Sequence, residues 1–207
     1  MLFDDTYKTI RQASEGTFRD KGSKFIAYLY PVRSDNEVRD IISNLKALHP
    51  KARHHCWGLR LSPDRTVFRL NDDGEPSGTA GRPILNTLLS YELTNVLAVV
   101  VRYFGGTLLG VPGLINAYKT ATVEAIKQAE IIEQTVNLMY RIRFGHPLMN
   151  NVMKVIKEEG LTISNQNFDL NCSFDVEIRQ SLVNKVIGRL EKIEGLKWEE
   201  LGIREKE

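Results

Sequence analysis

The stretch NVLAVVVRYFGGTLLGVPGLINAY, Asn95–Tyr118, sets the architecture of the first half of the chain. Its segment Val96–Val101 is apolar at every position, the pattern of a strand covered on both faces. Gly105 and Gly106 break that run, and GGTLLGVPG opens the helix LINAYKTATVEAIKQAE. Leu114, Ala117, Ala121 and Ala125 fall on one narrow face of this helix, small enough to lie tightly on a sheet. Strand, glycine turn and small-faced helix together predict a mixed α/β domain.

The flanking sequence extends the pattern. DKGSKFIAYLYPV (Asp20–Val32) reads as a strand with two mainly apolar rows. SDNEVRDIISNLKALHP predicts a helix with a Ser34–Glu37 capping box, an apolar stripe of Val38, Ile41, Ile42, Leu45 and Leu48, and a stop at Pro50. RHHCWGLRL (Arg53–Leu61) alternates, with His55, Trp57, Leu59 and Leu61 on one face and His54, Cys56, Gly58 and Arg60 on the other. A turn at SPDR leads to TVFRL, a hairpin partner. RPILNTLLSYEL predicts a helix with Pro83 in its first turn and Ile84, Leu85, Leu88 and Leu89 facing inward.

A boundary is expected near Glu133–Asn137, giving domains 1–134 and 135–207. Beyond it the order is strand (Val136–Phe144), helix (Pro147–Glu159), strand (Leu161–Phe168), strand (Asp169–Ile178), helix (Arg179–Ile193) and strand (Lys197–Ile203). This βαββαβ order is the ferredoxin-like split motif, so the whole chain is expected to be α+β.

The composition is that of a folded, water-soluble protein: 42% apolar residues and a net charge of +2. No run is long enough to cross a bilayer, and the opening MLFDDTYKTI lacks the plan of a signal peptide. Cys56 and Cys172 fall in different expected domains, which argues against a disulfide framework and for a reduced, cytoplasmic setting. From Arg19 to Arg65 there are ten Lys/Arg against five Asp/Glu, a modest basic region able to meet phosphate.

The acidic, glycine-rich RLNDDGEPSGTAGRP, Arg69–Pro83, holds most of the candidate chemistry. It lacks the Gly-Lys-Ser/Thr of a nucleotide-hydrolysing loop and the acid spacing of an EF-hand. The amides of Gly78–Arg82 ahead of a helix could hold an anion clamped by Arg69 and Arg82. Asp72, Asp73 and Glu75 are either turn residues bonding nearby amides or hard-oxygen ligands, and the turn reading is favoured. His54 and Cys56 share a strand face without further ligand spacing, so neither a metal site nor a thiol nucleophile is expected. The second glycine site, RYFGGTLLG, places Arg102, Gly105 and Gly106 between strand and helix, where amides meet anions, but matches no dinucleotide fingerprint.

The segments SKFIAYLYPV, ARHHCWGLRL, NDDGEPSGTAGRPIL and VVVRYFGGTLLGVPGLINAY resemble the YigZ/IMPACT family, in its bacterial two-domain form. The resemblance implies a first domain like the second domain of a small-subunit ribosomal protein. It also implies a second domain similar to the last domain of elongation factor G, and both folds recur in proteins that touch RNA or the ribosome. Eukaryotic relatives regulate translation through a separate N-terminal domain with no counterpart in this sequence, so their partner is not expected here. Where members read like GTGGLVRAY this chain has GVPGLINAY: Pro112 removes an amide donor, and Asn116 replaces an expected arginine.

The resulting expectation is a non-catalytic, translation-associated protein, without cofactor, metal or membrane, that binds RNA, the ribosome or a translation factor. Its surface is expected to collect Lys24, Arg53, His54, Arg69, Arg82 and Arg102. The loops Asp72, Asp73, Gly74, Glu75, Ser77, Gly78, Thr79 and Gly81, and Gly105 with Gly106, are expected to fix the register. The alternative is a hydrolase-like enzyme acting on a small phosphorylated or peptide substrate, with Asp72, Asp73 and Glu75 working beside His54. An exposed apolar patch would instead mark a protein-interaction module.

Overall fold

A computed structural model describes residues 5–169 and 171–203. The chain divides into two compact units: Tyr7–Gln134, and the residues from Thr135 onward joined by Asp5 and Thr6. Residues 1–4, the first part of the opening MLFDDTYKTI on which the leader reading rests, and Leu170, inside the expected strand from Asp169, lie outside the described residues.

The first unit is built on a five-stranded sheet. Its strands are β2 (Ser14–Asp20), β3 (Ser23–Pro31), β4 (His54–Leu61), β5 (Val67–Asn71) and β6 (Val96–Tyr103). They lie in the order β2-β3-β6-β4-β5, and every pairing is antiparallel. A separate pair, β1 (Thr6–Ile10) with β7 (Ile131–Thr135), joins the two ends of the unit. Residues Val96–Val101 of β6 are fully buried because the strand is central and both faces are covered.

Strand parity decides what covers each face. Val96, Ala98 and Val100 pack with Phe25, Cys56, Ile84, Leu88, Ala117 and Tyr118, beneath α2 (Gly81–Ser90) and α3 (Gly110–Gln128). Leu97 and Val99 pack with Leu59, Leu61, Val38 and Leu45 beneath α1 (Asp35–Leu48). The small face of α3 comes so close to β2 that a Cβ on Gly16 would lie 2.2 Å from the Ala125 nitrogen. Strand β2 itself was not anticipated, because its alternation of Glu15, Thr17 and Arg19 with Gly16 and Phe18 carries little apolar signal.

Two helix details differ from expectation. Ser34 is the N-cap of α1, but its hydroxyl donates to Glu37 Oε1 at 2.9 Å, and Glu37 accepts the Arg33 amide at 3.2 Å. The reciprocal box is therefore not formed, since Ser34 donates to the carboxylate where a capping side chain accepts from the N3 amide. Leu89 is 42% exposed, because α2 turns Ile84, Leu85 and Leu88 toward the sheet and Leu89 lies past the edge of that stripe.

The second unit runs β8 (Asn137–Phe144), α4 (Met149–Glu158), β9 (Thr162–Asn167), β10 (Cys172–Arg179), α5 (Val183–Leu190) and β11 (Lys197–Ile203). Short 3-10 turns precede both helices. The sheet order β11-β8-β10-β9, antiparallel throughout, is that of the ferredoxin-like split motif. Its core is Tyr140, Ile142, Phe144, Phe174, Val176 and Ile178 against Val152, Ile156, Val186 and Leu190. Asp5 is held here: Arg179 Nε and Nη2 each donate to its carboxylate at 2.7 Å, and the Val136 amide donates to its carbonyl at 2.7 Å.

Candidate functional site

One end of the five-stranded sheet gathers the start of β4, the end of β6, the glycine-rich loop after β5 and the first turns of α2 and α3. The loop is shaped by its own acids. Asp72 accepts the amides of Gly78 at 2.9 Å, Ala80 at 3.1 Å and Gly81 at 2.8 Å, so its carboxylate caps α2. Asp73 accepts the His55 amide at 2.7 Å, and its own amide donates to Asn71 Oδ1 at 2.6 Å. Gly74 and Gly78 take φ of 87° and 78°, the left-handed turns that close this loop. Thr79 donates its hydroxyl to the Pro76 carbonyl at 2.6 Å, Ser77 is exposed in the turn, and Gly81 lets the Asn71 backbone pass where a Cβ would stand 2.9 Å away.

Glu75 points inward and is almost wholly buried. Its Oε1 accepts Arg102 Nη1 at 2.5 Å and the Tyr118 hydroxyl at 2.7 Å. The side chains of Arg102 and Glu75 are only 6% and 4% exposed, so this is a desolvated ion pair. Arg102 also lies over the rings of Phe25 and Phe104, 5.4 and 5.5 Å from their centroids. Its Nη2 reaches Ser23 Oγ at 3.4 Å, while its Nε has no acceptor. The Cys56 thiol faces the Asp72 carbonyl at 3.0 Å and the Tyr118 hydroxyl at 3.4 Å. Burial pushes the Cys56 thiol and the Tyr118 phenol far above their ordinary values, so both stay protonated. His54 Nδ1 donates to the Asp73 carbonyl at 2.8 Å, which leaves Nε2 directed toward Glu75 at 3.9 Å.

The second glycine loop meets the β2–β3 turn: a Cβ on Gly105 would fall 2.0 Å from the Gly22 carbonyl carbon. Gly106 (φ 88°) opens outward. Pro112 sits in the first turn of α3, where its missing amide hydrogen has no intrahelical acceptor to lose. Asn116 is exposed on the next turn.

Beside the Glu75–Arg102 pair lies a cleft of about 370 Å³, walled by Phe104, Leu108, Leu109, Val111 and Leu114, with Arg53 and His54 at its polar edge. A second cleft of about 370 Å³ lies between α2 and α3, lined by Gly78, Arg82, Asn86, Ile115 and Lys119 among others. The loop residues Pro76 and Gly78 each wall one of the two clefts.

Of the six expected contact residues, the structure brings Arg53, His54 and Arg82 to these clefts. Arg102 also borders the first cleft, but its side chain is only 6% exposed and is held by Glu75. Arg69 lies on the opposite face of the sheet and pairs with Asp35 of α1 at 2.9 Å. Lys24 shares that face by strand parity, opposite Tyr103. Sequence reasoning overlooked Tyr118, Ser23 and the apolar walls Phe104, Leu108, Val111 and Ile115. A tyrosine interrupting the small-residue face of α3 is the signal that points to a buried hydroxyl network. Among the described residues, no three of His, Cys, Asp and Glu converge as metal ligands, and no helix is long and apolar enough to cross a membrane.

The fold and this site define a two-unit α+β protein with a cleft built on an internally neutralised glycine-rich loop. Residues 21–126 match the model of the Impact N-terminal domain. A Haemophilus influenzae IMPACT family member is 33% identical over 165 residues, covering 79% of this chain and 80% of that one. The Escherichia coli IMPACT family member YigZ is 32% identical over 150 residues, 72% of this chain and 74% of that one. The chain therefore belongs to the IMPACT family. A solved structure described as that of an hypothetical protein superposes with a TM-score of 0.70 at 26% identity, over 98% of this chain and 99% of its own.

Proposed function

We propose that the protein is a non-catalytic, translation-associated binding protein whose first unit holds an RNA or protein component of the translation apparatus at the clefts beside the glycine-rich loop. One observation carries this reading. Asp72 is taken up by loop amides, Asp73 by the His55 amide beside Lys46, and Glu75 by Arg102 and Tyr118, while Arg53, Arg82 and Lys119 face outward at the clefts. Glu75 borders the first cleft, but the oxygen it presents is held by Arg102 and Tyr118, which supports a structural role over acid–base chemistry. The link to translation rests on the family resemblance, whose eukaryotic members regulate translation.

The test is sedimentation of cell lysate containing the tagged chain. Wild type is expected to travel with ribosomal particles or an associated factor, and the Arg53→Glu/Lys119→Glu double variant to remain at the top of the gradient. Turnover of a phosphoester or peptide substrate by the purified chain, lost in His54→Ala, would overturn the reading.

A further inference from the structure

Resting on that binding reading, we infer that the site takes an acidic segment of a partner protein, anchored by aliphatic or aromatic side chains. The clefts flank one loop and one helix. On α3, Val111, Ile115 and Lys119 recur every fourth residue and so form one stripe past both clefts, preceded by Leu108. Leu108 is 82% exposed, Val111 52% and Ile115 39%, large apolar side chains standing open beside walls of Leu109 and Leu114.

The shape of these walls separates the partner classes. Nucleobases are held by flat aromatic or guanidinium surfaces on which they stack. Here the open wall area is mainly branched aliphatic, from Leu108, Val111 and Ile115, while the flat surfaces are fewer: the His54 ring, and Phe104, 39% exposed, with the Arg53 guanidinium carbon 5.7 Å from its centroid. Branched aliphatic walls suit the side-chain anchors of a peptide laid in a groove. The ionisable groups at the clefts settle the sign of its charge. Arg53 and His54 border the first, Arg82 and Lys119 the second, and the one carboxylate, Glu75, is neutralised by Arg102. Acidic residues flanking the anchors complement that edge.

The experiment is a binding screen of the intact chain against a peptide array in which Leu, Ile or Phe anchors are interspersed with Asp and Glu. Matched arrays replace the acids by Lys or the anchors by Ala, and labelled oligouridylate is measured in parallel. Acidic anchored peptides are expected to bind, both matched arrays to bind at least about tenfold more weakly, and oligouridylate not to compete. Val111→Asp, Ile115→Asp and Arg53→Glu, all at exposed positions, are each expected to weaken the best peptide about tenfold or more while the circular dichroism spectrum is unchanged. Oligouridylate binding sensitive to Arg53→Glu, with no peptide bound, overturns the inference and keeps the binding reading. No peptide bound by a chain that still sediments with ribosomal particles does the same. Peptide binding that ignores Val111→Asp and Ile115→Asp overturns the placement of the groove.

Discussion

At Glu75 a single carboxylate oxygen receives both a guanidinium and a phenol inside the protein, reaching them from the glycine-rich loop. Glu75→Gln leaves the Arg102 charge buried without a counter-ion. Loss of one partner from a buried pair costs about 3–5 kcal/mol, so the urea midpoint of the first unit is expected to fall sharply. The double variant Glu75→Gln/Arg102→Met is expected to recover much of the loss, because no charge is then stranded. A single variant as stable as wild type would show that the pair is not desolvated. The neighbouring Asp72 and Asp73 show what a sequence discloses at this scale. Their turn role is readable from Asx chemistry, since short carboxylates beside glycines bond local amides. The inward turn of Glu75 is not, because its partners Arg102 and Tyr118 lie 27 and 43 residues away.

Among the elements, β2 and α3 approach so closely that only glycine fits at residue 16. Gly16→Ala would drive a Cβ into the Ala125 backbone nitrogen, so strand and helix must part. A loss of about 1–3 kcal/mol by chemical denaturation is expected, and Ala125→Gly is expected not to restore it, since the clash is with backbone. Full rescue by Ala125→Gly would refute that contact. The elements most legible in the sequence are those with strong local periodicity: β6, α3, and the alternating strands β8 and β10 with their intervening helix. Strand β2 was not legible, because a glycine there serves a helix more than a hundred residues downstream. Splitting of the expected cationic surface has a similar cause. Lys24 and Arg69 lie on one face of the sheet and His54 on the other, and only the register of β3, β4 and β5 with their neighbours assigns those faces.

For the molecule as a whole, Asp5 is the informative residue. Arg179 beside it, with the Ser181 amide at 3.1 Å, holds its carboxyl well below the ordinary aspartate value of 3.8. A depressed folded pKa contributes stability that is present above 3.8 and lost as pH falls through the lowered value. Asp5→Asn is therefore expected to destabilise the second unit at neutral pH and to converge with wild type in strong acid. In a Trp57→Phe background, Trp198 reports this unit alone. An equal difference at both pH values would place the effect elsewhere than in ionisation.

Asp5 and Thr6 belong with residues from Thr135 onward, so residues 7–134 are an insertion within the other unit. The ribosome delivers the inserted unit whole, together with both of its ends, before Val136 and Arg179 exist to receive Asp5. Closure of the outer unit must wait until the last strands emerge. The order of synthesis thus gives the cleft-bearing unit a period in which all its residues are present while its host is still incomplete.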